Sequence, residues 1–381
     1  MKVWVLGRAY PSKGNNYNGS FEFEQARMIA GRGNSVTYFS VETVPFYKKK
    51  KRAGVERFTD EGVEVVTDYF PYQPLPPFIM IRLREMRFRA LLRKAEEKYG
   101  KPDVIHVHYP SVMGYKQIMP FVKKGVKLVA TEHWSKVLSQ KLNKPYRNSL
   151  KQYRRYALTL VSVSRQLKDK IEQITEQVEN GCPLMIIPNI IPDDFYYMPP
   201  VTKPPFRFIA IGRLVPEKNF GLLIDAFLQA FPEDKNVKLT IVGNGPEYEM
   251  LQKKITEHSL EDAVELTGSI AHREIPALLQ RSHVLVCSSK YETFGVPIIE
   301  AMTCGRPIIT TASVGCANYI NDSNGVIIEQ SSVQSLANAM KHMYLYYESY
   351  EGKAISDYAK SFSSESVVYK HLSDIYQSTG N

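Results

Sequence analysis

Cysteine is scarce in this chain: four in 381 residues, at Cys182, Cys287, Cys304 and Cys316, with no CxxC spacing among them. That pattern offers neither a metal knuckle nor a disulfide framework, and it fits small apolar packing. No apolar run approaches the roughly 20 residues that a membrane-spanning helix needs. The opening MKVWVLGRAYP reads as a first strand and not as a signal peptide, so a cytoplasmic protein is expected. There is no GxxxxGK[ST] phosphate loop, and Asn244, Gly245 and Pro246 lack the third glycine of a dinucleotide fingerprint. Zinc-finger spacing, ribonucleoprotein aromatics and a basic zipper are absent too, so nucleic acid is not an expected partner. Solenoid repeats are missing. Acid is in deficit: 39 Asp and Glu against 49 Lys and Arg leave a net charge of +10, which asks for an anionic partner, a phosphorylated substrate or a membrane surface.

What the chain does have is alternation of strand and helix patterns over a length that suits two domains. Its organising stretch is His283 to Thr311, HVLVCSSKYETFGVPIIEAMTCGRPIITT. The runs His283 to Ser288 and Arg306 to Thr311 predict buried strands. Between them Pro297 suits a first helical turn and Gly305 a helix end, giving strand, loop, short helix, strand. In such a crossover the loop lies at the carboxyl edge of a parallel sheet, and the amides of Phe294, Gly295 and Val296 face outward at a helix N-terminus. That end favours an anion. Glu292 precedes the helix and Glu300 lies about one turn inside it, among Ile298, Ile299, Ala301 and Met302. A carboxylate repels the anion itself but accepts hydrogen bonds from hydroxyls on the anion's neighbours. Glu292 and Glu300 therefore read as bracketing a diphosphate, one on a sugar and the other on a ribose. The competing reading is a capping or salt-bridging carboxylate.

Glu, seven residues, Glu, with Phe-Gly after the first and Glu-Ala-Met at the second, resembles family 4 of the retaining GT-B glycosyltransferases, the glycosyl transferases group 1. GRLVPEKN at 212–219 resembles that family's Gly-Arg-Leu-x-x-x-Lys-Asn signature, and Arg213 and Lys218 match its diphosphate-binding cations. Aimed at the β-phosphate, two cations would stabilise the leaving group. Ser269 and Ile270, after VELTG, match the backbone segment against which the family lays its base. Thr131, Glu132 and His133 match a Thr-x-His pattern whose histidine contacts the transferred sugar. The family's paired-glycine loop is matched in part: Asn18 stands at the first position and Gly19 at the second.

The resemblance implies an α/β GT-B fold of two facing Rossmann-like domains with parallel sheets and an interdomain cleft. It places an acceptor-side domain at 1–190, a linker at 191–205, a nucleotide-sugar domain at 206–361, and a final helix, about 362–381, returning to the first domain. Catalytic roles fall on His133, Glu292, Arg213 and Lys218. Substrate binding falls on Gly19, Ile270, Thr293, Phe294, Gly295, Val296 and Glu300 together with those two cations and Glu292. The family works without a divalent cation, and no Asp-x-Asp occurs here, so neither metal nor cofactor is expected beyond the nucleotide-sugar donor, with uridine favoured over guanosine. No carboxylate nucleophile is evident, which favours front-face attack with the departing phosphate taking the acceptor's proton. The expected acceptor is a glycan or a lipid-linked species. A nucleotide-sugar 2-epimerase, a glycogen-type polymerase and a basic non-enzymatic binding protein are the competing readings.

Residues 45 to 100 read as less regular. Lys48 to Arg52 is a basic run, and Phe78 to Arg93 mixes apolar residues with Arg82, Arg84, Arg87, Arg89 and Arg93. Two readings stand for it: a solvated helix flank, or a surface leaning on anionic lipid at the inner face of the membrane.

Overall fold

The computed structural model describes residues 1–12, 18–45, 54–72, 77–138, 142–201, 203–328 and 332–379. The chain divides into two compact units: Met1–Ile190 with Val368–Asn381, and Ile191–Val367. In the first, β1 (Lys2–Leu6), β2 (Ser35–Pro45), β3 (Gly54–Asp60), β4 (Val63–Tyr72), β5 (Val104–His108), β6 (Lys127–Glu132), β7 (Thr159–Ser162) and β8 (Leu184–Ile186) form one sheet in the order β3-β4-β2-β1-β5-β6-β7-β8. All neighbours run parallel except β3 and β4. The chain lays strands outward on one side of β1 and then resumes at β5 on the other, so its switch point lies between β1 and β5.

The stretch expected to be irregular holds a hairpin. β2 runs on to Pro45, and β3 and β4 turn at Glu61 (φ 45°) and Gly62 (φ 79°). VERFTD is an exposed edge strand, so it carries no apolar alternation to announce it. The helix Pro77–Tyr99 follows and buries Phe88, Leu91, Leu92 and Ala95. Two of its arginines are engaged within the unit: half-exposed Arg87 makes a bidentate pair with Asp68 at 2.7 and 2.6 Å, and Arg84 donates to the Arg8 carbonyl at 3.0 Å. Arg82, Arg89 and Arg93 remain exposed. The basic run Lys48 to Arg52 lies outside the described residues. Among the described residues no helix is long and apolar enough to cross a membrane.

In the second unit, β9 (Phe206–Ile211), β10 (Val237–Val242), β11 (Val264–Gly268), β12 (Val284–Cys287), β13 (Ile308–Thr311) and β14 (Gly325–Ile328) form a parallel sheet in the order β11-β10-β9-β12-β13-β14. Its switch point lies between β9 and β12. Their apolar residues meet the helices Phe220–Ala230 and Val333–Tyr346 in a core of Phe206, Phe208, Phe227, Phe231, Leu239, Ile241, Leu336 and Met340. The two organising strands, Val284–Cys287 and Ile308–Thr311, are shorter than their sequence runs, and the polar residues that precede them make specific contacts. His283 Nδ1 accepts from the Arg207 amide at 3.0 Å, and Arg306 donates to the Met198 carbonyl. Residues 368–377 of the last helix, Glu365–Gln377, pack on the first unit, where the Tyr376 hydroxyl meets His106 Nδ1 at 2.6 Å.

Candidate active site

Because β9 and β12 are neighbours, the loops that follow them are brought together at the carboxyl edge of the second sheet. Three links join them: Ser288 Oγ donates to the Lys218 carbonyl at 2.8 Å, the Lys290 amide donates to the Glu217 carbonyl at 2.8 Å, and the Lys218 ammonium forms an ion pair with Glu292. Burial works against the Lys218 charge, but Glu292 first, then Cys287 and Glu217, outweigh it, and the pKa stands above the ordinary lysine value. Arg213, the second cation, is exposed on the same loop as Lys218 and makes no ion pair among the described residues.

After Glu292 the chain enters the helix Val296–Thr303 through Thr293 and Phe294, both buried, and Gly295, whose φ of 90° makes it a left-handed N-cap. A Cβ at Gly295 would lie 3.0 Å from both Cys316 Sγ and Val314 Cγ1, so position and conformation together call for glycine. No side chain caps this helix, but Pro297 has no amide hydrogen and the Ile298 amide donates to the Gly295 carbonyl at 2.9 Å, so of the first three positions Val296 has the amide left for water or an anion. Glu300 is buried, and its Oε1 meets His272 Nε2 at 2.7 Å. The two carboxylates are thus separately engaged, Glu292 by Lys218 and Glu300 by His272. Ile270 is half-buried just beyond β11.

In the first unit, β5 and β6 end in a buried histidine row. His106 stacks on His108 with centroids 4.6 Å apart, and His108 on His133 at 5.2 Å. His106 is held between the Tyr376 hydroxyl and Thr131 Oγ1, the latter at 2.7 Å. His108 Nδ1 meets His133 Nε2 at 2.9 Å. Burial pushes His106 and His133 down to about 3 and His108 well below the ordinary value, so all three are neutral. Glu132 turns inward and accepts from the amides of Ser111, His133 and Trp134 at 2.9 to 3.0 Å, which fixes the backbone at His133. Gly19 is the left-handed N-cap of the helix Ser20–Gly31 (φ 97°), and a Cβ there would come within 1.9 Å of the Ala9 carbonyl oxygen. Close backbone packing is therefore one sufficient reason for that glycine.

Sequence reasoning overlooked Arg8, Glu22, Tyr109 and His272, and it placed His108 at the carboxyl edge of a strand without giving it a role. Arg8 pairs with buried Glu22 at 3.1 Å, donates to the Tyr109 hydroxyl at 2.7 Å and lies over the Tyr109 ring, which is 5.0 Å from His133. The available signal was positional: Arg8 and Tyr109 closely follow the two strands that flank the first switch point.

Two parallel-sheet α/β units, the second carrying cations and carboxylates over its switch point, define the GT-B class. Residues 199–360 match the family Glycosyl transferases group 1 and residues 23–195 match Glycosyltransferase Family 4, and the chain belongs to these glycosyltransferases. It is 26% identical over 292 residues to a phosphatidylinositol N-acetylglucosaminyltransferase subunit of Arabidopsis thaliana, covering 73% of this chain and 61% of that one. The chain thus spans less than two thirds of that plant relative's length. N-acetyl-alpha-D-glucosaminyl L-malate synthase of Bacillus anthracis is 23% identical over 350 residues, 89% of this chain and 86% of that one. Among solved structures, sucrose-phosphate synthase from Thermosynechococcus elongatus superposes with a TM-score of 0.78 at 18% identity, covering 99% of this chain and 98% of that one. Anabaena HepE in complex with UDP-glucose does so at 0.70 and 19%, covering 98% of both chains.

Proposed function

We propose that the chain is a retaining, metal-independent hexosyltransferase moving a sugar from a nucleoside-diphosphate sugar to a glycan or lipid-linked acceptor in polysaccharide or glycolipid assembly. The observation that carries this reading is the Lys218–Glu292 pair beside exposed Arg213 and the uncapped helix Val296–Thr303. When a diphosphate enters, Lys218 turns from Glu292 to the phosphate, and Glu292 becomes free to accept from hydroxyls of the sugar. Glu300 takes the ribose and the Ile270 backbone the base. His133, held neutral by burial, gives a hydrogen bond to the sugar. The bond from the sugar's anomeric carbon to the β-phosphate oxygen breaks, the acceptor oxygen bonds to that carbon on the same face, and the departing phosphate takes the acceptor's proton. Arg213, Lys218 and the helix terminus supply the positive charge that the leaving group needs. The UDP-glucose complex of the similarly folded HepE supports a uridine donor. The reading also places the enzyme in the cytoplasm, peripheral on the inner membrane face, with the exposed Arg82, Arg89 and Arg93 turned to anionic lipid.

The test is a donor screen in excess chelator, with the products followed by NMR. Transfer with the donor's anomeric configuration kept is the expected outcome. An inverted product removes the retaining mechanism, a strict need for Mg²⁺ or Mn²⁺ removes metal independence, and release of a free epimer assigns an epimerase.

A further inference from the structure

Among the described residues, His272 is the side chain that partners a carboxylate which helical packing would otherwise leave buried and alone. Glu300 has 4% of its side chain exposed and His272 has 53%, so a half-exposed imidazole closes over a buried acid. The contact is set from three sides. Glu300 is carried on the helix Val296–Thr303, among Ile298, Ile299, Ala301 and Met302, all buried. His272 opens the short turn His272–Glu274, which is pinned where the Ala271 amide donates to Glu274 Oε2 at 3.2 Å. Phe195, itself buried, lays its ring against the imidazole with centroids 5.2 Å apart.

A carboxylate has two oxygens and about four lone-pair sites. One N–H on Oε1 therefore fixes the group's rotation and leaves Oε2 to a second donor. His272 also stands two residues beyond Ile270, so a single short segment reaches both the residue assigned to the base and the residue assigned to the ribose. We infer that His272 is a positioning residue of the nucleotide site, donating Nε2–H to Glu300 Oε1 so that Oε2 meets the vicinal hydroxyls of the donor's ribose. This rests on the assignment of Glu300 to the ribose made above. The opposite role, an imidazole that plugs Glu300 and must be displaced by the nucleotide, predicts the opposite sign on removal.

The experiment is calorimetric titration of the full chain with UDP, 2′,3′-dideoxy-UDP and inorganic pyrophosphate, with GDP and its dideoxy analogue in parallel. The parental protein should prefer UDP over the dideoxy compound by about tenfold or more, the scale of hydrogen bonds to a charged group. His272→Ala should shrink that preference to about twofold or less while pyrophosphate binding stays unchanged, which also reports that the site is still folded. His272→Gln, whose amide can donate to the same oxygen, should recover part of it. A preference kept in full by His272→Ala, or tighter UDP binding in that variant, overturns the inference while leaving Glu300 on the ribose. A parental protein indifferent to the ribose hydroxyls, with Glu300→Gln equally indifferent, overturns the inference and the Glu300 assignment together.

Discussion

His108 Nδ1 and His133 Nε2 lie 2.9 Å apart in a fully buried stack, and since burial keeps both rings neutral, one of the two nitrogens donates and the other accepts. The Asn189 side chain also approaches the His133 ring, so Nδ1 does not face an empty space. Which of the two donates depends on the tautomer, and His108, two positions past His106 on the neighbouring strand, is the ring to which the His133 tautomer is coupled.

This relationship makes His108 testable as the residue that orients His133. His108→Phe keeps a ring in the stack but removes the nitrogen, and kcat should fall about tenfold or more, on the order of 1.4 kcal/mol. His108→Asn, which can offer a polar atom near the same place, should recover part of the loss, and UDP affinity should be unchanged in both. Phe and Asn variants with parental kcat would reduce the contact to packing.

Glu292→Gln keeps the shape of the side chain and removes its charge. Transition-state stabilisation should drop by roughly 2 to 4 kcal/mol, the scale of one preorganised electrostatic contact. Lys218 also loses its ion pair, so the variant should show a lower Lys218 pKa by NMR. Turnover at the parental rate would take Glu292 out of the reaction.

Arg213 and Lys218 are expected to share the diphosphate. Alanine at either should weaken nucleoside diphosphate binding by about 1.5 to 3 kcal/mol and leave the free nucleoside nearly indifferent. Equal losses for both ligands, measured by calorimetry, place these side chains away from the phosphates.

The buried histidines couple folding to pH. His106 and His133 are held near 3 against an ordinary value of 6.5, so the unfolded chain binds the extra protons. Stability from them is complete above about pH 6.5 and is lost as pH falls toward 3, at about 1.4 kcal/mol per pH unit for each histidine. Urea midpoints across that window should show the slope, and His106→Gln should flatten it. A parental protein equally stable at pH 4.5 and 7 contradicts neutral burial.

Membrane association has a narrower basis than the arginine count suggests, because Arg84 and Arg87 are already engaged inside the first unit. Vesicle binding should rise with anionic lipid, fall with salt, and weaken by about 1 kcal/mol for each of Arg82, Arg89 and Arg93 neutralised. Arg84→Gln or Arg87→Gln should cost folding stability instead. Equal absence of binding to neutral and anionic vesicles would direct the search to a soluble acceptor.

The sequence by itself determined the strand and helix alternation, the glycine before the helix Val296–Thr303 and the residue types of the candidate site. Those features depend on local periodicity and on backbone conformations that single residues favour or forbid. The tertiary structure alone decided the pairings. Lys218 meets Glu292 across 74 residues because β9 lies beside β12, and His272 meets Glu300 because the turn after β11 reaches the helix that follows β12. Arg87 on Asp68 and the histidine row were hidden for the same reason, whereas the hairpin of β3 and β4 was hidden because its exposed edge strand shows no apolar alternation. A side chain's partner depends on the order of strands in the sheet, and no local pattern in the chain encodes that order.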